Sequence, residues 1–198
     1  MSQITSFTAR ARASLREELL DAATALLPER GYAGLRMADV ATNVGVSRQT
    51  VYNEFGSKSA LVQAVALRTA AEFLDGIQRR LSAEVELRDG IHAATVFTIE
   101  HARENPLVAA ALGTEVAEDL LPLLTTRGEP ILRAAAEVAE AHLRERAPGL
   151  SRPALVAETM VRLTLSHLML PTHSPAEAAD VVCGVIAPLV EHYSSTTE

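Results

Sequence analysis

An all-α fold is predicted by three features of this sequence. Alanine and leucine are abundant and aromatic residues make up only 4% of a chain that is 48% hydrophobic, which suits helices packed by aliphatic side chains. No sustained alternation of β-branched residues marks a strand. Apolar residues instead recur at helical spacing between prolines, glycines and capping residues. About nine helices are expected, enough for a small domain beside a medium one.

The first helix is expected from about Thr8 to Glu29, with Leu15, Leu19, Ala22, Ala23 and Leu26 on its inner face. Pro28 bends or ends it, and Gly31 caps the turn. Met37, Val40, Ala41 and Val44 form the stripe of a short second helix. Gly45 follows where a helix C-terminus needs positive φ, Val46 is a small apolar plug, and Ser47 caps the next helix. That third helix, Arg48 to Phe55, turns Val51, Tyr52 and Phe55 inward and Arg48, Gln49, Thr50 and Asn53 outward. A long fourth helix runs from Lys58 to about Leu81 on Leu61, Val65, Ala71 and Leu74.

A fifth helix spans about Arg88 to Glu104 and is broken by Pro106. Leu107 to Leu124 reads as one or two short helices interrupted by Gly113 and Pro122. A helix from Pro130 to Arg146 ends at Ala147–Leu150, and Ser151–Pro153 opens another that reaches about Leu170. Ser174–Glu177 is a capping box with proline at the first helical position. The last helix carries Val181, Val182, Val185, Ile186, Leu189 and Val190, a stripe too wide for one small core.

Helix, glycine turn and capped second helix make a helix-turn-helix, whose second helix enters the DNA major groove. Gln49 matches adenine N6/N7 and Arg48 matches guanine O6/N7, while Thr50 suits a thymine methyl or a phosphate. The formal net charge of −7 is adverse to DNA binding, but its distribution resolves the conflict. Residues 1–60 hold seven Lys/Arg against six Asp/Glu, and residues 61–198 hold eleven against nineteen. Phosphate binding needs only local positive charge, and Arg10, Arg12, Arg36, Arg48 and Lys58 flank or lie within the motif. So modest a charge points to two reading heads on one duplex.

The segment Arg12–Val65 resembles the N-terminal domain of the TetR family of bacterial transcriptional repressors. The likeness rests on ERGY (Glu29–Tyr32), ADVA (Ala38–Ala41), GVS (Gly45–Ser47), TVYNEF (Thr50–Phe55) and SKSAL (Ser57–Leu61), in order and at suitable spacing. It implies a three-helix DNA-binding head at 1–57, with Ser47 capping the reading helix. A helical ligand-binding and dimerisation domain follows at 58–198. It further implies a homodimer on a palindromic double-stranded operator, released by a small-molecule effector, with no other cofactor.

The same resemblance gives Tyr52 and Lys58 contacts to the DNA backbone, with core packing the alternative for Tyr52. The amides at the start of the fourth helix, opened by Lys58, favour a phosphate. Asn53 stands where the family usually has an aromatic residue or histidine, and Gln49 replaces a small residue. Arg36 occupies the usual Ser/Thr cap position, a loss of about 1 kcal/mol. It either reaches DNA or remains solvated.

In the family the last two helices pair with their copies as a four-helix bundle, which assigns Val181, Val182, Val185, Ile186 and Leu189 to a dimer interface. The alternative is that these helices cover their own domain. Candidate effector-lining residues are Phe73, Ile77, Phe97, Leu107 and Leu112 in the first half of that domain. Met160, Leu163, Thr164, His167 and Leu168 are the candidates in the second. Mostly aliphatic and without tryptophan, they suit an acyl chain or another lipid-like molecule better than a flat cation.

Other classes find little support. No apolar run reaches the ~18 residues a membrane helix needs, and the polar N-terminus has no signal-peptide core. The single cysteine, Cys183, fits a reducing compartment, so a cytoplasmic location is expected. The six histidines form no HxxxH or HExxH pair, giving no metal site. Ser166 and His167, adjacent on a helix, point to different sides, and neither a phosphate loop nor a GxSxG elbow is present. An enzyme is not expected. A helical adaptor or an activator of the same fold is the alternative, although an adaptor leaves the polar outer face of the third helix unexplained.

Overall fold

The computed structural model describes residues 2–112 and 128–195. Among these residues there are nine helices and no strand. They are α1 (Ser2–Gly34), α2 (Met37–Val44), α3 (Arg48–Phe55), α4 (Lys58–Ala83), α5 (Leu87–Glu104), α6 (Pro106–Leu112), α7 (Glu129–Arg146), α8 (Pro153–Met169) and α9 (Pro175–Ser194). The breaks expected at Gly113 and Pro122 lie outside the described residues. Contacts gather the described chain into two compact units, one containing residues up to Thr69 and the other Ala70–Ala109 with the helices from Glu129 onward.

In the first unit α2 packs against both α1 and α3. Leu19, Ala23, Leu27, Leu35, Val40 and Val51 are fully buried there, together with Leu61 and Val65 from the opening turns of α4. Arg68 fastens those turns to α1, bonding Asp21 at 2.7 Å and Thr24 at 2.8 Å. Pro28 lies inside α1, and the helical run expected to end near Glu29 breaks at Gly31, before a further short turn that reaches Gly34. Gly31 adopts φ 64° and ψ 177°, open to glycine alone without strain. Arg36 begins α2 without a side-chain cap, as its identity predicts, and an Arg30–Asp39 ion pair ties the first turn of α2 to α1.

In the second unit α9 packs on α5 and α8, and α8 on α7. Leu81, Ile91, Leu143, Val156, Met160, Val182 and Ile186 share its core. The Ser174–Glu177 capping box forms in full. The apolar stripe of α9 divides between two faces. Val182 and Ile186 are 0% exposed within their own chain, whereas Val181 and Val185 are each 41% exposed. Each pair is spaced i, i+4 and so occupies its own face of the helix, and α5 takes the inner one. Leu189 packs partly buried against the same core.

His142 on α7 is buried at 7% exposure, and its Nε2 has no hydrogen-bond partner among the described residues. Burial pushes its pKa below the usual 6.5, the Arg146 charge pushes the same way, and Glu145 opposes them. The unfolded chain therefore takes up a proton that the folded chain resists. This contribution to stability is intact above the unfolded pKa and is lost as pH falls toward the folded one. Thermal melts from about pH 7 to about pH 5 are expected to show a decline that a His142→Leu variant makes shallower. Parallel profiles for the two proteins would refute it.

Candidate nucleic-acid interface

The reading helix is set by its two ends. Gly45 closes α2 in the left-handed conformation at φ 79°, its N–H reaching the carbonyls of Ala41 and Thr42. Val46 N–H then bonds Ala41 O at 2.9 Å. Ser47, extended at φ −74° and ψ 149°, starts α3, and its Oγ accepts the Thr50 N–H at 3.1 Å. Ser47 and Thr50 hydroxyls also meet at 2.9 Å, so both serve the helix start. With Val51 and Phe55 buried, the rotation of α3 is fixed, and Arg48, Gln49 and Asn53 are exposed.

Local pairs hold that outer face in order. Gln49 Nε2 donates to Asn53 Oδ1 at 2.9 Å. Gln49 thus keeps its carbonyl oxygen, and Asn53 its amide donors, for base edges or phosphate. Arg48 donates to Tyr52 Oη at 3.2 Å and lies 5.2 Å from the tyrosine ring centroid. Tyr52 is half-buried, a place compatible with both packing and contact. Arg36 is exposed.

Lys58 has a second occupation that sequence reasoning missed. Its Nζ donates to Tyr32 O at 2.8 Å and, more weakly, to Ala33 O at 3.4 Å, and sits 4.4 Å from the Tyr32 ring centroid. It therefore satisfies main-chain acceptors near the end of α1, and one of its three N–H groups remains for a phosphate. Glu54 was missed as well. Its carboxylate takes Arg12 Nε at 2.9 Å and Arg16 Nη1 at 3.0 Å, both from α1. The Arg16 guanidinium also covers the Phe55 ring at 4.6 Å. Being the one acidic residue between Ser47 and Phe55 was the signal for Glu54, although its partners lie 38 and 42 residues earlier.

The effector candidates are brought together only in part. Phe73 and Phe97 both meet His101, with ring centroids at 4.7 and 5.0 Å, and Arg80 lies over Phe97 at 4.8 Å. Gly76 makes room for Phe97, since a Cβ there would sit 2.2 Å from the ring. His101, absent from the expected set, is the residue that joins the two rings. Ile77 and Leu163 pack against the core of the second unit, and Met160 belongs to it. Leu107 and Leu168 are buried, Thr164 Oγ1 donates to Met160 O at 3.0 Å, and His167 meets His173 edge-on at 5.4 Å. The side chain of Leu112 lies outside the described residues. No group of three or more metal-ligating side chains exists among the described residues, and no helix among them is long and apolar enough to cross a membrane.

Comparison with known proteins agrees over almost the whole chain. Residues 19–65 match the family model described as bacterial regulatory proteins, tetR family. Residues 86–188 match the model for the bacterial tetracyclin repressor C-terminal domain. The HTH-type transcriptional regulator AlkX of Mycobacterium tuberculosis is 35% identical over 186 residues, spanning 92% of this chain and 88% of that protein. The crystal structure of the TetR family repressor AlkX from a Dietzia species, implicated in biodegradation of n-alkanes, matches with a TM-score of 0.72. Its identity is 29%, over 89% of this chain and 97% of that one. A TetR-family regulator from Pectobacterium atrosepticum, 18% identical, matches in fold with a TM-score of 0.69 over 93% of this chain and 96% of its own. This chain therefore belongs to the TetR family of bacterial transcriptional regulators, a family of helix-turn-helix proteins that bind DNA and typically dimerise.

Proposed function

We propose that this regulator is a repressor, held on a palindromic operator as a homodimer and released by a linear apolar molecule of the alkane or fatty-acyl class. The DNA-binding part is carried by one observation: Arg48, Gln49 and Asn53 stand exposed on a helix whose other face buries Val51 and Phe55. Exposed Val181 and Val185 on α9 support the dimer, which spaces two reading helices on a palindrome. The mostly aliphatic candidate residues and the n-alkane association of the Dietzia relative support the effector class. Release follows from linkage: an effector that prefers a conformer unsuited to the operator lowers DNA affinity by its own preference. We assign α4 the role of lever, since it is unbroken from Lys58 to Ala83.

Fluorescence anisotropy on duplexes from upstream of the gene, or selected from random sequence, tests this reading. The wild type is expected to prefer its operator over a scrambled duplex, and Gln49→Ala to lose about 1–3 kcal/mol on the operator. Alkanes or fatty acids of increasing length are expected to release the DNA at concentrations that fall with each added CH₂, worth about 0.8 kcal/mol if buried. Equal affinity for operator and scrambled duplexes would end the repressor reading. Indifference to chain length would end the effector reading alone.

A further inference from the structure

The Arg12–Glu54–Arg16 cluster has a charge logic that helix packing alone does not require. We infer that Glu54 restrains the sequence-independent part of DNA binding, holding the cations of Arg12 and Arg16 at the edge of the reading head. The inference rests on the DNA-binding reading above and concerns residues that touch no base.

The geometry is two-sided. Both carboxylate oxygens of Glu54 are engaged, one by each arginine, and its side chain is only 11% exposed. Burial by itself would raise the Glu54 pKa, but the hydrogen bonds and charges of Arg12 and Arg16 outweigh it and hold the carboxylate ionised below its usual value. The arginines are engaged at one edge only. Arg12 bonds through Nε with its side chain 69% exposed, and Arg16 bonds through one Nη with 40% exposed. Each keeps further N–H donors of the kind that bind phosphate.

Position makes the cluster matter. Glu54 follows Arg48 by six residues on one helix, a rise of about 9 Å. That is close to the Debye length of about 8–10 Å at physiological salt, so its charge is felt where the helix meets DNA. Binding to any sequence rests almost wholly on phosphate neutralisation, whereas base contacts supply preference. With Glu54 the cluster carries one net positive charge, and without it two. The carboxylate thus subtracts mainly from the part of affinity that every sequence shares.

Glu54→Gln keeps shape and one acceptor while removing the charge. On a scrambled duplex it is expected to bind about three- to tenfold more tightly than wild type, with a salt slope steeper by about one. Operator affinity should rise by a comparable factor, because the phosphate contacts are common to both duplexes. A purely structural tie predicts the opposite sign, because loosening α3 weakens binding to both duplexes. Arg12→Gln, at an exposed position, gives a second reading independent of how well Glu54→Gln folds. It should weaken scrambled binding more in the Glu54→Gln background than in the wild type. An unchanged or shallower slope for Glu54→Gln, or equal effects of Arg12→Gln in both backgrounds, would overturn the inference while leaving the regulator reading standing. A wild type that binds no duplex even at low salt would overturn both.

Discussion

Truncating Phe55 to alanine is expected to destabilise the DNA-binding head by about 3–5 kcal/mol and to abolish operator binding with it. Phe55 is only 8% exposed, and its ring lies 4.6 Å below the Arg16 guanidinium. Alanine removes both the buried ring and the surface on which Arg16 rests, leaving a void beside Val51 and the inner face of α3. An eight-residue helix has no stability of its own and depends on this packing. Urea unfolding followed by circular dichroism measures the loss, and anisotropy measures the binding. Phe55→Leu, which keeps much of the volume, should retain part of both. Operator affinity unchanged in Phe55→Ala would mean that the head does not need this core contact.

Gly90→Val in α5 should cost about 3 kcal/mol, the upper end of what overpacking a well-filled core produces. A Cβ at Gly90 would lie 2.9 Å from the Leu81 carbonyl oxygen and 3.6 Å from His142 Nε2. The first neighbour is backbone and cannot swing aside, and Leu81 itself is 1% exposed. Helix propensity forecasts the reverse sign, since replacing a mid-helix glycine by alanine ordinarily gains about 0.5–1 kcal/mol. The smaller change Gly90→Ala therefore tests which effect governs. A melting temperature below wild type for alanine, and lower again for valine, is the expected order. A gain with alanine would show that α4 and α5 separate easily.

The features readable from the sequence were those whose cause is local. Gly45 and Ser47 delimit the two helices of the motif because left-handed φ and a capping hydroxyl are properties of single residues. The box at Ser174–Glu177 announces α9 for the same reason. At Gly31 the local signal likewise gave the break in α1. The bonds from Lys58 to the Tyr32 and Ala33 carbonyls were not legible, because nothing near Lys58 in sequence reveals the main chain that faces it. The burial of Val182 and Ile186 against the exposure of Val181 and Val185 was not legible, because a wide apolar stripe does not say which half its own core covers. The place of Phe97, stacked on His101, depends on the close approach that Gly76 allows, and a glycine inside a helix carries no hint of its neighbour.

The outer face of α3 is stabilised almost entirely from within itself. Gln49 leans on Asn53 and Arg48 on Tyr52, while the anchoring contacts of the helix belong to Ser47, Val51, Glu54 and Phe55. Substitutions at Arg48, Gln49 and Asn53 therefore act on stability by tenths of a kilocalorie per mole, roughly the worth of exposed i, i+4 pairs. The outer face can thus change its side chains almost independently of the fold beneath it.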